Sequence, residues 1–143
     1  MKAKIALITG GYTEESEISF RSSDFVYSQL DHERYEVYTI VIAPEDWYYT
    51  ANNGQRHSID KHDFSLQLGR DDSSKIFFDL VFVMVHGSPG EDGRIQGYLD
   101  MMGVPYTSCD PLTASLTMNK AYTKSILQGI PDLYLANSVL LFD

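Results

Sequence analysis

Cysteine is all but missing from this sequence: Cys109 is the single one in 143 residues. No internal disulfide can form, which fits a reducing compartment and predicts a cytoplasmic protein. Without a second Cys or a nearby His, the thiol is expected to be packed or partly buried rather than a ligand or nucleophile. Basic residues are scarce as well, 11 Lys and Arg against 20 Asp and Glu, for a net charge of -9 and a pI near 4.7. The few cations are scattered along the chain, so neither nucleic acid nor an anionic membrane surface is an expected partner. Long apolar runs are missing too. No segment approaches the roughly 18 residues of a membrane helix. The N-terminal "MKAKIALITGG" ends its short apolar run in a turn rather than a cleavage site, so it reads as a strand and not as a signal peptide.

What is present suits one soluble domain with a real core. "KIALIT" (4–9) is a short β-prone run closed by Gly10 and Gly11, the pattern of a strand buried on both faces of a parallel sheet. From Glu17 the period becomes helical, with Ile18, Phe25, Val26 and Leu30 on one face. "YEVYTIVIA" (35–43) supplies a second strand and completes a βαβ unit. Residues 47–60, with Asn53-Gly54 as the turn, predict a small exposed hairpin inserted into the main pattern. Residues 65–75 read as loop and 79–87 as a third apolar strand. A helix over 94–103 should stop at Gly103, and Asp110-Pro111 should cap and start another running to about Gln128. A last β-prone run covers 134–142. The expected fold is α/β: an open, mostly parallel sheet with helices on both faces, Rossmann-like, carrying its ligand beyond the carboxyl ends of the strands.

Two turns lie at such ends. In "GGYTEESEIS" the dinucleotide fingerprint fails at its third glycine, and Glu14, Glu15 and Glu17 would repel a pyrophosphate. Two explanations stand side by side. Acidic residues at a helix start are stabilised by the macrodipole by about 0.3–1 kcal/mol each, with Thr13 or Ser16 as cap. Alternatively, one carboxylate is aimed at a ligand cation, most simply an ammonium. The second turn, "HGSPGEDGRIQG" (86–97), offers glycines for close backbone approach, a helix start near Arg94 and His86 at the strand end, all suited to an anion. Glu91 and Asp92 are expected to fix this loop through its own amides. A carboxylate on one turn and histidine with backbone donors on the other suit a zwitterion such as a small amino acid.

These two motifs closely resemble the N-terminal signatures of the D-alanine:D-alanine ligases, members of the ATP-grasp superfamily, and "GVPYTSCDPLTASLTMNKAYTK" (103–124) resembles the segment that follows them. The resemblance implies a pre-ATP-grasp domain over 1–130, with the insertion at about 47–60, and the start of a truncated central ATP-grasp region over 131–143. It implies an enzyme that joins two D-alanines for peptidoglycan and cell-wall synthesis through an acylphosphate, using ATP and Mg²⁺, commonly as a homodimer. Position by position, Glu15 resembles the residue that engages the first D-alanine's ammonium. Ile18 and Ser19 resemble the surround of that pocket. His86, followed by Gly87, resembles the histidine beside the substrate carboxyl, and Lys120 a lysine facing the ATP phosphates. The resemblance implies no metal ligand here.

Thr13 stands where the family commonly has Ser, and Asn119 where Asp is common. The family's full enzyme is more than twice as long, so the chain is expected to be a substrate lobe without activity of its own. The competing expectations are a non-enzymatic flavodoxin-like ligand-binding domain and a ligase variant making D-alanyl-D-lactate or D-alanyl-D-serine. Against the former, a receiver domain would carry an acceptor Asp where His86 stands, and a flavin domain a Ser/Thr-rich first loop.

Overall fold

A computed structural model describes residues 2–69 and 74–139 of the chain. The first strand is β1, Ala3–Gly10, as expected from the apolar run. β1 is followed by α1, Ser16–Gln29, and by β2, Tyr35–Ile42, which pairs parallel to β1 from Ala3↔Tyr35 to Gly10↔Ile42. The chain then turns back on itself. β3, Trp47–Thr50, runs antiparallel to β2, and β4, Arg56–Asp60, antiparallel to β3. The Asn53-Gly54 signal is used as expected: Gly54 has φ +82°, and the Asn53 carboxamide accepts from the Gln55 N–H at 2.9 Å. This hairpin is not wholly exposed, however. Trp47 and Ile59 belong to the buried core, because the sheet curls and carries one face of the hairpin over α2 (Arg94–Met102).

Within residues 65–75, read from sequence as loop, lie a short strand, β5 (Ser65–Gln67), and the first residue of β6 (Lys75–Ile76). Three and two residues are too few for a periodic signal, and the register Leu66↔Ile76 is what defines them. β7, Leu80–Val83, returns to the far side of β1 and pairs parallel to it. It is shorter than the apolar run 79–87, although the Met84 N–H still reaches the Ile8 carbonyl at 2.9 Å before the chain leaves the ladder. The sheet order is β6-β5-β4-β3-β2-β1-β7. β2 and β7 thus flank β1 on opposite sides, which places the reversal of strand order at the ends of β1 and β7.

β1 is buried throughout its apolar stretch. Ala6 and Ile8 join a core cluster with Ile95 and Leu99 of α2, while Ile5 and Leu7 alternate to the face on which α1 packs. Full burial of each such Ile or Leu is worth about 1.5–3 kcal/mol.

α1 contradicts its periodicity. The residues it buries are Ser19 and Ser23, whereas Ile18 is 53% and Phe25 68% exposed. Small hydroxyl residues allow the helix to lie close over β1, with the Ser23 hydroxyl donating to the Phe20 carbonyl of its own helix at 2.9 Å; the larger apolar side chains would hold it away. α2 stops at Gly103, φ +69°, as predicted. The single helix expected over 110–128 is two. α3, Pro111–Met118, is capped by Asp110, whose carboxylate accepts from the Leu112 and Thr113 N–H groups. Asn119 is extended, with φ -92° and ψ 102°, and caps α4, Lys120–Leu127, by accepting from the Ala121 and Tyr122 N–H groups. The β-prone run 134–142 forms no strand over 134–139, where Tyr134 is 93% exposed, and its last three residues lie outside the described part. Cys109 is exposed rather than packed, because it sits in the open connector before α3.

Candidate functional site

The turns after β1 and β7 are laced together by their backbones. Tyr12 N–H donates to the Ser88 carbonyl at 2.8 Å, while Gly11 N–H ties the first turn to the end of β2 at the Ile42 carbonyl, 2.8 Å away. A Cβ on Gly11 (φ +126°) would stand 3.1 Å from the His86 carbonyl oxygen, so the glycine is what allows the two turns to meet.

Glu15 is the N-cap residue of α1, but no side chain caps that helix end, neither Thr13, Ser16 nor Glu15 itself. Its carboxylate instead lies against the histidine turn. A Cβ on Gly87, which has φ +67°, would come within 2.5 Å of Glu15 Oε2 and 2.6 Å of Thr13 Oγ1. The structure therefore brings Glu15, Thr13 and Gly87 together. On the other side of Gly87, its N–H donates to Glu91 Oε2 at 2.8 Å, and Asp92 accepts from the Arg94 N–H at 3.1 Å. Both acidic residues fix the loop, as expected.

His86 is half-buried and held from two positions on α1. Its backbone N–H donates to Ser19 Oγ at 2.9 Å, and its Nε2 lies 3.4 Å from Ser22 Oγ. Ser22 was not singled out by sequence reasoning; the only available signal was its place one helical turn after Ser19. Ile18, on the same helix, is exposed, and its own N–H donates to the Glu15 carbonyl at 3.0 Å.

Lys120 is exposed at the start of α4 and lines a cavity of about 470 Å³ with Glu91, Gln96 and Ser108. His86 lines a smaller one of about 200 Å³ that shares Gly90, Glu91 and Ser108 with it. The histidine loop is thus the wall between the His86 and Lys120 cavities. Gln96, fully buried, ties that wall to the connector before α3. Its Nε2 donates to the Gly90 carbonyl at 2.6 Å and to Ser108 Oγ at 3.0 Å, and its Oε1 has no partner among the described residues. Lys120 forms no ion pair among the described residues, so its charge is free for an anion such as a phosphate. No three His, Cys, Asp or Glu side chains converge among the described residues. No helix there is long and apolar enough to cross a membrane.

Residues 4–109 match the family model described as the D-ala D-ala ligase N-terminus. A D-alanine--D-alanine ligase of Parabacteroides distasonis is 38% identical over 142 residues, 99% of this chain and 42% of the relative. Among solved structures, the D-alanine-D-alanine ligase of Aeromonas hydrophila superposes with a TM-score of 0.79 at 30% identity, covering 99% of this chain and 50% of that one. The Bacillus anthracis D-alanine--D-alanine ligase complexed with ATP gives a TM-score of 0.62 at 26% identity, over 90% of this chain and 35% of its own. The chain thus spans less than half the length of the curated relative it matches, and over that length it belongs to the D-alanine--D-alanine ligase family, as its N-terminal domain.

Proposed function

We propose that these residues form the substrate lobe of a cytoplasmic, ATP-dependent D-alanine:D-alanine ligase of peptidoglycan precursor synthesis. The observation that carries this reading is the meeting of Glu15 with the histidine turn at Gly87, which sets a carboxylate beside a histidine and a backbone donor loop. A free amino acid presents the complementary pair, ammonium and carboxylate, on adjacent atoms.

In this reading the Glu15 carboxylate binds the ammonium of the first D-alanine. Ile18 and Ser19 shape the pocket from α1, and Gly87, lacking a side chain, lets the Glu15 carboxylate lie against the histidine turn. His86, oriented through Ser19 and Ser22, donates from its imidazole to the substrate carboxyl. That carboxyl oxygen attacks the terminal phosphorus of ATP, the P–O bond to ADP breaks, and an acylphosphate forms. The amine of a second D-alanine then attacks the acyl carbon and inorganic phosphate leaves. The chain's own contribution is to hold one reactant in line and to stabilise its charge. Lys120 would hold an edge of the ATP phosphates. Magnesium finds no ready set of donors among the described residues and would be held by parts of the longer protein. The longer enzyme is a homodimer in this reading, and the exposed Phe25 of α1 offers apolar surface for a second copy. The lobe extends to about residue 130, where the central region of the longer enzyme begins.

The test is kinetic. Incubated alone with ATP, Mg²⁺ and D-alanine, the 143-residue chain should release no phosphate. Joined to the remaining domains of a relative, it should support dipeptide synthesis, with Glu15→Gln raising the KM for D-alanine and His86→Ala lowering kcat, each by about tenfold or more. Wild-type kinetics in both variants would sink the assignment of roles.

A further inference from the structure

A recess of about 340 Å³ opens where the first turn, the hairpin and the start of α2 meet, and its lining includes neither Glu15 nor His86. Its floor is apolar and stiff. Trp47 and Tyr98 meet edge to face, with centroids 5.2 Å apart and planes at 89°, and Phe64 packs behind both. Their polar atoms are already engaged: Trp47 Nε1 donates to Tyr12 Oη at 3.1 Å, and Tyr98 Oη donates to the Lys61 carbonyl at 2.9 Å. The rings are therefore fixed in orientation, and together with Pro89 they give the recess an apolar lining.

The charge at this recess runs against the composition. In a chain of net charge -9, its only charged lining residues are Lys61 and Arg94. The Lys61 ammonium lies 5.0 Å from the centroid of the Trp47 ring and forms no ion pair among the described residues. The nearby carboxylates of Asp60 and Asp63 pair with Lys75, at 3.5 and 3.0 Å, and not with Lys61. Arg94 Nη1 is shared between Asp92, at 3.3 Å, and Ser88 Oγ, at 3.1 Å, which leaves further guanidinium N–H groups for a ligand. An apolar cavity of a few hundred Å³ with a few convergent polar groups has the form of a small-molecule site.

We propose that this recess binds a small planar aromatic anion, with its ring on the Trp47, Tyr98 and Pro89 surface and its carboxylate or phosphate at Lys61 and Arg94. The occupant covers the junction at which Tyr12 N–H donates to the Ser88 carbonyl, and so touches both turns of the substrate site from behind. The inference stands apart from the ligase reading, since neither D-alanine nor ATP enters it or its test.

Trp47 is the only tryptophan, so its indole N–H gives one resolved signal in a ¹⁵N-correlated NMR spectrum. The chain is titrated with 1-naphthoate, 1-naphthyl phosphate and the neutral 1-naphthalenemethanol. The Trp47 signal should shift saturably with at least one of the two anions and about tenfold more weakly with the alcohol; whichever anion binds more tightly identifies the acid class. Lys61→Met and Arg94→Met should each weaken anion binding about fivefold or more and leave the alcohol unaffected, with unchanged spectral dispersion showing that both fold. Equal affinity for anion and alcohol, binding insensitive to both substitutions, or no saturable shift at Trp47 in a well-dispersed spectrum would each overturn the proposal.

Discussion

The hydroxyl of Ser19 accepts the backbone N–H of His86 at 2.9 Å, across 67 residues of sequence. This contact seats the histidine strand end on α1, and Ser19 is fully buried beneath it. Ser19→Ala leaves the His86 N–H without its partner and should cost about 1–3 kcal/mol. The measurement is the urea midpoint of unfolding, and an unchanged midpoint would show that the contact contributes nothing net.

Gly87→Ala should damage the site. Its φ of +67° disfavours any L side chain, and the new Cβ would stand 2.5 Å from Glu15 Oε2. A loss of about 1–2 kcal/mol is expected from the backbone alone. Because Glu15 shares the second contribution with Thr13, whose Oγ1 would stand 2.6 Å away, the Gly87→Ala cost should be smaller in a Glu15→Ala background. Strict additivity of the two substitutions in a double-mutant cycle would refute the contact.

Asn119 gives the break between α3 and α4 a chemical cause, since its carboxamide caps the second helix. An Asp can make the same bonds, so Asn119→Asp should leave stability within about 0.5 kcal/mol, whereas Asn119→Leu should lose about 1 kcal/mol. Thermal unfolding followed by circular dichroism at 222 nm distinguishes the two. Equal melting of both variants and the wild type would remove the capping role.

At alkaline pH the protein should weaken through its buried phenols. Burial, aided by the charges of Asp60 and Asp63, pushes the Tyr98 hydroxyl up to about 12, and burial with the Glu36 hydrogen bond raises Tyr38 further still. A phenol whose folded value is raised contributes stability that is fully present below its unfolded value near 10 and is lost as pH rises above it. Denaturant midpoints should therefore fall between about pH 10 and 12, and less steeply in Tyr98→Phe. A Tyr98→Phe protein with the same alkaline slope as the wild type would contradict this.

How much of this was legible in sequence depended on what kind of force positions each residue. β1 and β2 were readable because both are apolar runs closed by turn residues, and burial of such runs is a matter of composition. Glu15, His86 and Gly87 were readable as neighbours because glycines mark the ends of parallel strands, where a sheet of this order must place its site. The buried face of α1 was not readable. Hydrophobic periodicity selects Ile18 and Phe25, whereas the structure buries Ser19 and Ser23, whose size and hydroxyls suit a close approach to β1. Ser22 was missed for the same reason: a serine on a helix carries no mark of the histidine it will meet. The short β5 depends on partners from other segments, such as Ile59, which pairs with Leu66; the break at Asn119 rests on a local cap inside a run whose composition otherwise reads as one helix.

The span between Ser19 and His86 also has a consequence for the order of folding. Contacts so distant in sequence close late, because the entropy of the intervening loop is lost before they repay it. The histidine half of the site cannot be in place until β7 has paired with β1, on the side of β1 opposite to β2 and the hairpin. The His86 amide is consequently a reporter of completed topology. Its exchange with solvent deuterium should be among the slowest of any loop amide in the chain, tracking global unfolding rather than local fraying.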